Sequence, residues 1–281
     1  MRKRSFINIV GVDLGGGKSK NTAVVTLRVD AHAGVTVTDM APRPGAEPLY
    51  DATLIERLRG FGDGTLVCID APLTLPPCLR CRVPVCPGQE TCVDPAVLDM
   101  RRMVSEFSVS GRDARRGKPS VTPYTQRPTE VHLLCARGLS SREAMGQGTG
   151  PLAARAAHVT RALGDRFRLN ENLIEVSPRA TLGVLGFGQR FKKHLFEREE
   201  RARILDEIGE DLRFGPGVWR ELCVQSDHLF EAVICAYTGF LWARDGWTDS
   251  ARRPAGRDEE GWIWVPPSVT PPAVLSASSK R

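Results

Sequence analysis

The hydrophobic positions of the first seventy residues fall into short apolar runs that predict four β-strands and one helix. Continuous runs rich in Val and Ile are typical of strands that are buried on both faces of a sheet. The first three strands follow one another closely and predict an antiparallel meander. Leu54, Ile55 and Leu58 share one face of a short helix that Asp51 caps and Gly60 ends. The predicted strands cover residues 6–13, 22–27, 34–38 and 66–70.

The periodic pattern resumes after residue 147. Apolar residues at spacings of three and four predict an amphipathic helix, and the short run 173–175 predicts the next strand. Charge-rich residues then indicate one or two surface helices, and a final long helix follows. Trp262 and Trp264 indicate a late strand that packs on the core. The predicted helices cover residues 152–163, 191–213 in one or two pieces, and 226–244.

Residues 74–147 interrupt this pattern and are rich in Cys, Pro and Arg, so we interpret them as an insertion into a domain that covers residues 1–265. Residues 266–281 carry two Pro-Pro pairs and a Ser-rich end, which predicts a disordered tail. The remaining elements run three strands, helix, strand, helix, strand, helix. That order resembles the ribonuclease H-like fold, which implies an α/β structure with a mixed five-stranded sheet and helices on both faces.

Three of the apolar runs end on a carboxylate, at Asp13, Asp70 and Glu175. Because parallel strands end at the same edge of a sheet, we expect these acids to converge there. Carboxylates held close together repel, so a divalent cation is the natural neutraliser, and the arrangement indicates metal-dependent phosphoryl or phosphodiester chemistry. The alternative is that each acid only caps the turn or helix that follows its strand.

Asp227 and Glu231 lie four residues apart in the last predicted helix, which places both carboxylates on one helix face. The alternative is a first-turn acid favoured by the helix dipole, together with an ordinary exposed Glu. His228 lies beside them and is a candidate for proton transfer or for a purely structural role.

In ribonuclease H-like nucleases, acids come from the first strand, the fourth strand and the last helix. The resemblance therefore implies two Mg²⁺ or Mn²⁺ ions held by carboxylates, with Glu175 as a further catalytic candidate. The metal ligands implied in this way are Asp13, Asp70, Asp227 and Glu231.

Five short motifs, in this order and spacing, resemble a bacterial and archaeal family, domain of unknown function 429, whose members are described as predicted nucleases of ribonuclease H-like fold. Relatives usually carry Asp where this chain has Glu231. The resemblance implies a metal-dependent nuclease that hydrolyses phosphodiester bonds of nucleic acid. The motifs are Gly11-Val12-Asp13-Leu14, Ile69-Asp70-Ala71-Pro72-Leu73, Arg127-Pro128-Thr129-Glu130, Ile174-Glu175-Val176-Ser177-Pro178 and Asp227-His228-Leu229-Phe230-Glu231-Ala232.

Four of the eight cysteines fall within fifteen residues with the spacing C-x2-C-x4-C-x5-C, at Cys78, Cys81, Cys86 and Cys92. Four thiolates this close in a cytosolic chain predict a tetrahedral structural Zn²⁺ site. An iron–sulfur cluster uses the same donors and is an open alternative, as is the absence of a metal.

The 281 residues carry a net charge of +6, a mild basic excess that permits a nucleic-acid partner. Basic residues that are candidates to bind substrate phosphates lie in the loop after the first strand and in the insertion. For Arg127 an equally good interpretation is an ion pair with Glu130 that fixes the insertion. We find no membrane-length apolar run and no signal peptide, and we expect a cytoplasmic protein. The candidates to bind substrate phosphates are Lys18, Arg115, Arg116 and Arg127.

Two other functions are open on the sequence alone. The segment from Val12 to Ser19 resembles the phosphate-binding hairpin of sugar kinases and actin-like ATPases, which implies an ATP-dependent phosphotransferase. A non-catalytic nucleic-acid-binding protein is the second alternative, in which the cysteine site and the basic loop bind nucleic acid and the acids are vestigial.

Overall fold

The computed structural model describes residues 5–16, 21–30, 34–106, 121–139, 141–187, 195–247 and 261–267. Within these ranges the chain forms one mixed sheet of seven strands. The strands are β1 (Asn8–Asp13), β2 (Ala23–Val29), β3 (Val35–Ala41), β4 (Thr65–Ile69), β5 (Leu173–Val176), β6 (Leu212–Phe214) and β7 (Ile263–Trp264).

The order across the sheet is β6-β3-β2-β1-β4-β5-β7. β1 and β2 are antiparallel, as are β2 and β3, which confirms the predicted meander. β4 is parallel to β1, β5 to β4 and β7 to β5, and β6 is parallel to β3. The strands that end in the predicted acids therefore run side by side in the same direction.

Nine α-helices lie in the described ranges, and none of them combines the length and apolar character needed to cross a membrane. The long predicted helix is confirmed as α9, with Ser226 at its N-cap. The helices are α1 (Asp51–Arg59), α2 (Pro77–Arg80), α3 (Pro95–Glu106), α4 (Pro128–Arg137), α5 (Gly150–Leu163), α6 (Pro178–Val184), α7 (Leu195–Glu207), α8 (Arg220–Gln225) and α9 (Asp227–Asp245).

Helices cover both faces of the sheet. On one face, α9 packs across the central strands, and buried residues of α7 and α8 extend the same core. On the other face, α1 and α5 pack on alternate residues of the same strands, such as Val10, Val12 and Ile69. This double coverage is the reason that the central strands are apolar without interruption rather than alternating.

The approach of α9 to β1 requires glycine. A Cβ atom on Gly11 would lie 2.0 Å from the carbonyl oxygen of Ala232 and 2.5 Å from the amide nitrogen of Ala236. On the helix side, a Cβ atom on Gly239 would lie 2.2 Å from the sulfur of Cys68. The two glycines let the helix backbone approach the sheet closely, and this brings the start of α9 to the end of β1.

Three details differ from the sequence prediction. The sheet has seven strands rather than five, because the short strands β6 and β7 extend its two edges. Tyr50, not Asp51, is at the N-cap of α1, and Asp51 instead accepts a hydrogen bond from Arg155. The insertion contains helices α2, α3 and α4 in its described part. The predicted domain limits stay a prediction, and residues 268–281 of the predicted tail lie outside the described residues.

Candidate active site

Asp13 and Asp70 lie side by side at the ends of two parallel strands. β1 and β4 pair up to Val12 and Ile69, and the amide of Asp70 donates a hydrogen bond to the Val12 carbonyl at 3.0 Å. Because side chains alternate along a strand, both acids follow Gly11 and Cys68 onto the face that α9 covers. The structure therefore brings these two predicted acids together at the C-terminal edge of the sheet.

Helix α9 adds two groups to this edge from its first turns. The Nδ1 atom of His228 lies 2.6 Å from a carboxylate oxygen of Asp13. One ligand atom each from Asp13, His228 and Glu231 lie within 4.8 Å of one another. Asp13 and Glu231 are both buried, with 7% and 4% of their surface exposed. Two carboxylates this close repel each other, so a shared proton or nearby positive charge stabilises them.

Part of that positive charge comes from His228. Its hydrogen bond to Asp13 is the largest effect that raises the pKa of His228 above its ordinary value, and burial opposes it. The charges of Asp227 and Glu231 raise the pKa further. In its protonated form the imidazole donates to Asp13 and offsets part of the negative charge of the site.

Asp227 lies at the edge of this cluster. Its side chain is 39% exposed, and its carboxylate accepts the backbone N–H of His228 at 3.0 Å. The charge of Asp227 also acts on the buried Arg201. Burial lowers the pKa of Arg201, and the charges of Asp227 and Glu197 partly offset this effect. Asp227 is outside the set of three close ligand atoms, and its predicted role as a metal ligand stays a prediction.

Glu175 is near the cluster but faces the other side of the sheet. β5 continues to Val176, and Glu175 pairs with Ile69. Its side chain therefore lies on the same face of the sheet as Leu173, which is the face that α1 and α5 cover. Both of its oxygens accept hydrogen bonds from Arg127, at 2.6 and 2.7 Å, and one also accepts the amide of Leu73 at 2.9 Å. Glu175 is therefore engaged in a buried ion pair.

Arg127 uses all five of its N–H bonds within the protein. Two point to Glu175, two to Glu130 at 2.7 and 2.9 Å, and one to the hydroxyl of Thr74 at 3.1 Å. Burial would lower the pKa of Arg127, but Glu175 and Glu130 outweigh it and raise the pKa. This geometry favours the interpretation in which Arg127 fixes the insertion to the sheet over contact with a phosphate.

A cavity of about 110 Å³ lies against the acids on the side of the insertion. Asp70, Glu175 and Glu231 form its acidic wall. The exposed residues Arg142 and Arg179 supply positive charge on its lining. Neither arginine was predicted from the sequence, because neither lies in a basic run, although Arg179 directly follows the motif that contains Glu175.

The family model described as "Protein of unknown function (DUF429)" matches residues 11–259, which is most of the chain. The chain belongs to this family. No curated protein and no solved structure matches it. In this DUF429 chain the matched region begins beside Asp13 and contains all of the acids described above.

Arg155 is a second basic residue of the DUF429 chain that the sequence did not single out. It is buried in α5, and its Nη1 atom donates to the carbonyl of Gly15 at 2.5 Å and to the hydroxyl of Thr22 at 2.6 Å. Its Nε atom donates to Asp51 at 2.7 Å. Arg155 thus fixes the ends of the loop that follows Asp13. The predicted substrate ligands Lys18, Arg115 and Arg116 lie outside the described residues.

The four clustered cysteines are separate from the acidic site. Cys81 and Cys86 are exposed, Cys78 and Cys92 are half-buried, and all four are free thiols. In the ranges that the structure describes, Asp13, His228 and Glu231 are the set of three or more candidate ligands whose atoms all lie within 4.8 Å of one another. The predicted Cys-bound metal stays a prediction at this point.

Proposed function

We propose that the protein is a metal-dependent hydrolase of phosphodiester bonds, a nuclease, whose active site is the acidic cluster at the ends of β1 and β4. The observation that carries this proposal is the meeting of Asp13, Glu231 and His228 within 4.8 Å, next to Asp70. Carboxylate oxygens are the donors that Mg²⁺ and Mn²⁺ prefer. The matched family is described as one of unknown function, so family membership supplies no activity.

The strand order supports a ribonuclease H-like core. β3-β2-β1-β4-β5 is a five-stranded unit in which only β2 is antiparallel to the rest. We propose that this unit is the ribonuclease H-like sheet expected from the sequence, extended by β6 and β7. The acids then come from the first strand, the fourth strand and the last long helix, as the resemblance implies.

We assign the metal-binding role to Asp13 and Glu231, whose buried oxygens belong to the set of close ligand atoms. We add Asp70, which lies outside that set but follows the neighbouring strand end beside Asp13. Mg²⁺ or Mn²⁺ held there would activate a water and stabilise the leaving oxygen of a phosphodiester. His228, held by Asp13 and 36% exposed, is placed to exchange a proton with solvent at its Nε2 atom. Arg142 and Arg179 are placed to bind the phosphate at the cavity mouth.

Glu175 and Arg127 act differently in this proposal. Their bidentate ion pair holds the insertion against β5, and this forms the far wall of the cavity. They are positioning residues, which act on substrate only through the shape of the cavity.

The experiment that tests the proposal is cleavage of labelled single- and double-stranded DNA and RNA, with Mg²⁺, Mn²⁺ or chelator. We compare the native protein with the double variant Asp13→Asn, Asp70→Asn. Glu56→Gln, an exposed acid on α1, is the matched control for loss of one negative charge. We expect metal-dependent cleavage by the native protein and the control, and a loss of at least 100-fold in the double variant.

The other functions predict different outcomes in the same assay. Nucleic-acid binding without cleavage, unchanged in the double variant, would favour a binding protein. Metal-dependent consumption of ATP without cleavage would favour a phosphotransferase. Cleavage that survives in the double variant would contradict the assignment of the site.

A further inference from the structure

The segment that joins α2 to α3 has no helix or strand and little buried apolar surface to stabilise it. Residues 81–94, all of which the structure describes, contain neither helix nor strand, and residues 81–91 are exposed throughout. Three of its apolar side chains, Val83, Val85 and Val93, are between 58% and 81% exposed. Burial of apolar surface therefore contributes little here.

Four cysteines lie in and directly after α2. Cys78 is in the helix, Cys81 is at its C-cap, and Cys86 and Cys92 lie in the segment that follows. The Sγ atom of Cys81 accepts the backbone N–H of Val83 at 3.5 Å. A backbone N–H that donates to a cysteine sulfur stabilises the thiolate, which is the form that binds a metal ion.

We propose that Cys78, Cys81, Cys86 and Cys92 bind one Zn²⁺ ion, and that this ion supplies the stability that the α2–α3 segment lacks. Four thiolates satisfy tetrahedral Zn²⁺ completely and leave no open position, so the site is structural. No three of the four sulfurs lie within 4.8 Å of one another. Binding therefore draws the exposed segment inward, and metal binding is coupled to its ordering.

The first ligand of this site is linked to the wall of the acidic cavity. The amide of Cys78 donates to the carbonyl of Pro123 at 3.0 Å, four residues before Arg127. On the other side of α2, Leu73 and Thr74 bond to Glu175 and Arg127. The ion thus holds α2 between two chain segments, residues 73–74 and residues 123–127. Both segments lead to the Arg127–Glu175 pair.

The last ligand leads into a helix that packs on the same wall. Asp94, two residues after Cys92, accepts the amide of Ala96 at 2.8 Å at the start of α3. α3 then packs against α4, whose first turn begins after Arg127. Loss of the ion is expected to loosen α2 and α3 before it affects α9.

The first test is metal content. The full chain is purified under reducing conditions and dialysed, and zinc and iron are measured by elemental analysis for the native protein, Cys81→Ser, Cys86→Ser and the control Cys135→Ser. Cys135 is a half-buried thiol outside the cluster. We expect about one zinc per chain in the native protein and the control, and a loss of at least tenfold in the two variants. Iron with visible absorption, or zinc retained in both variants, would overturn the proposal.

A second measurement covers the case in which the variants do not fold. A thiol-specific mercurial is titrated into the native protein while a chromogenic indicator reports released zinc. Release in step with modification of about four thiols supports the site, whereas release without thiol modification, or no release, overturns it. Replacement of zinc by Co²⁺ adds a spectroscopic signature, since thiolate-to-cobalt charge transfer appears with four sulfur ligands and not with carboxylates.

Hydrogen exchange then tests the structural role. Removal of zinc is expected to increase exchange at least tenfold in residues 77–106 and to leave the centre of α9 unchanged. Equal exchange of residues 77–106 in the protein with and without zinc would overturn the stabilising role. Neither the metal content nor the exchange depends on nuclease activity, so failure of the proposed function leaves this proposal testable.

Discussion

At the scale of single residues, the hydrogen bond between His228 and Asp13 is the contact with the clearest electrostatic consequence. Because it favours the charged imidazole, the pKa of His228 in the metal-free protein is expected to lie above 6.5. A raised pKa in the folded state stabilises the protein fully below about pH 6.5, and this contribution is lost as pH rises through the folded-state pKa.

The measurement is an NMR titration of the histidine rings in metal-free protein, with the His228 signal assigned from His228→Gln. Asp13→Asn is expected to lower the pKa of His228, because it removes the largest effect that raises it. The signal of His158, on α5, is the internal reference for spectra of the two proteins. A His228 pKa at or below 6.5 in the native protein would contradict the contact.

Arg127 is the residue whose loss should cost the most stability. Arg127→Met leaves the buried carboxylates of Glu130 and Glu175 without a partner, and removal of one member of a buried ion pair costs about 3–5 kcal/mol. Arg102→Met, which removes exposed pairs with Asp99 and Glu106, is the matched control and should cost less than about 1 kcal/mol.

The free energy of unfolding from urea titration measures both effects. Equal losses in the two variants would show that Arg127 is not held as described. Burial is the main effect that raises the pKa of Glu130. The loss of stability in Arg127→Met relative to the native protein is therefore expected to be smaller at low pH, where Glu130 is protonated.

Glu175 shows where sequence reasoning at this scale ends. The sequence correctly places Asp13 and Asp70 at neighbouring strand ends, because each ends a continuous apolar run. For Glu175 the strand continues to Val176, and a shift of one residue moves a side chain to the opposite face. The phase of β5 relative to β4 is set by pairing, which a single strand does not reveal.

At the scale of elements, the contact between β1 and α9 positions the site. A Cβ atom on Gly11 would overlap the backbone of α9. A helix backbone, unlike a flexible side chain, cannot adopt another rotamer to make room. Gly11→Ala is therefore expected to destabilise the protein by about 1–3 kcal/mol, in the range of overpacked cores. Gly16→Ala, where a Cβ atom meets nothing within 4 Å, is the control and should change stability by less than about 0.5 kcal/mol.

Thermal or urea unfolding measures these changes, and metal affinity adds a second result. If α9 shifts away from β1, Glu231 and His228 shift away from Asp13, so Gly11→Ala should weaken Mn²⁺ binding while Gly16→Ala should not. A stable Gly11→Ala variant with unchanged Mn²⁺ affinity would contradict the close contact.

The length of an element decides whether the sequence reveals it. The 19-residue α9 and the 14-residue α5 show clear apolar patterns, and both were predicted within about two residues at each end. β6 has three residues, and the sequence did not predict it. The two-residue β7 was indicated only by its tryptophans. α3 was hidden because it lies among Cys, Pro and Arg residues that end ordinary patterns, although Met100 and Met103 bury one of its faces.

At the scale of the whole molecule, the acidic site joins elements that are more than 200 residues apart in the chain. Asp13 is on the first strand and Glu231 on the last helix, and a metal ion that bridges them binds only the folded protein. Such an ion stabilises the fold by RT ln(1 + [L]/Kd), which is about 2.7 kcal/mol at 100 times Kd. Mn²⁺ at saturating concentration is therefore expected to raise the melting temperature of the native protein.

Two neighbouring acids on α9, both predicted from the sequence as metal ligands, differ in their position in the structure. Glu231 belongs to the set of close ligand atoms, whereas Asp227 is 39% exposed and outside it. Glu231→Gln should abolish the increase in melting temperature with Mn²⁺, and Asp227→Asn should keep most of it. Each variant removes one negative charge from the same end of the same helix, so a general electrostatic effect would reduce the increase in both variants. If the increase is lost in Asp227→Asn alone, the metal binds at the exposed Asp227 instead of at Glu231.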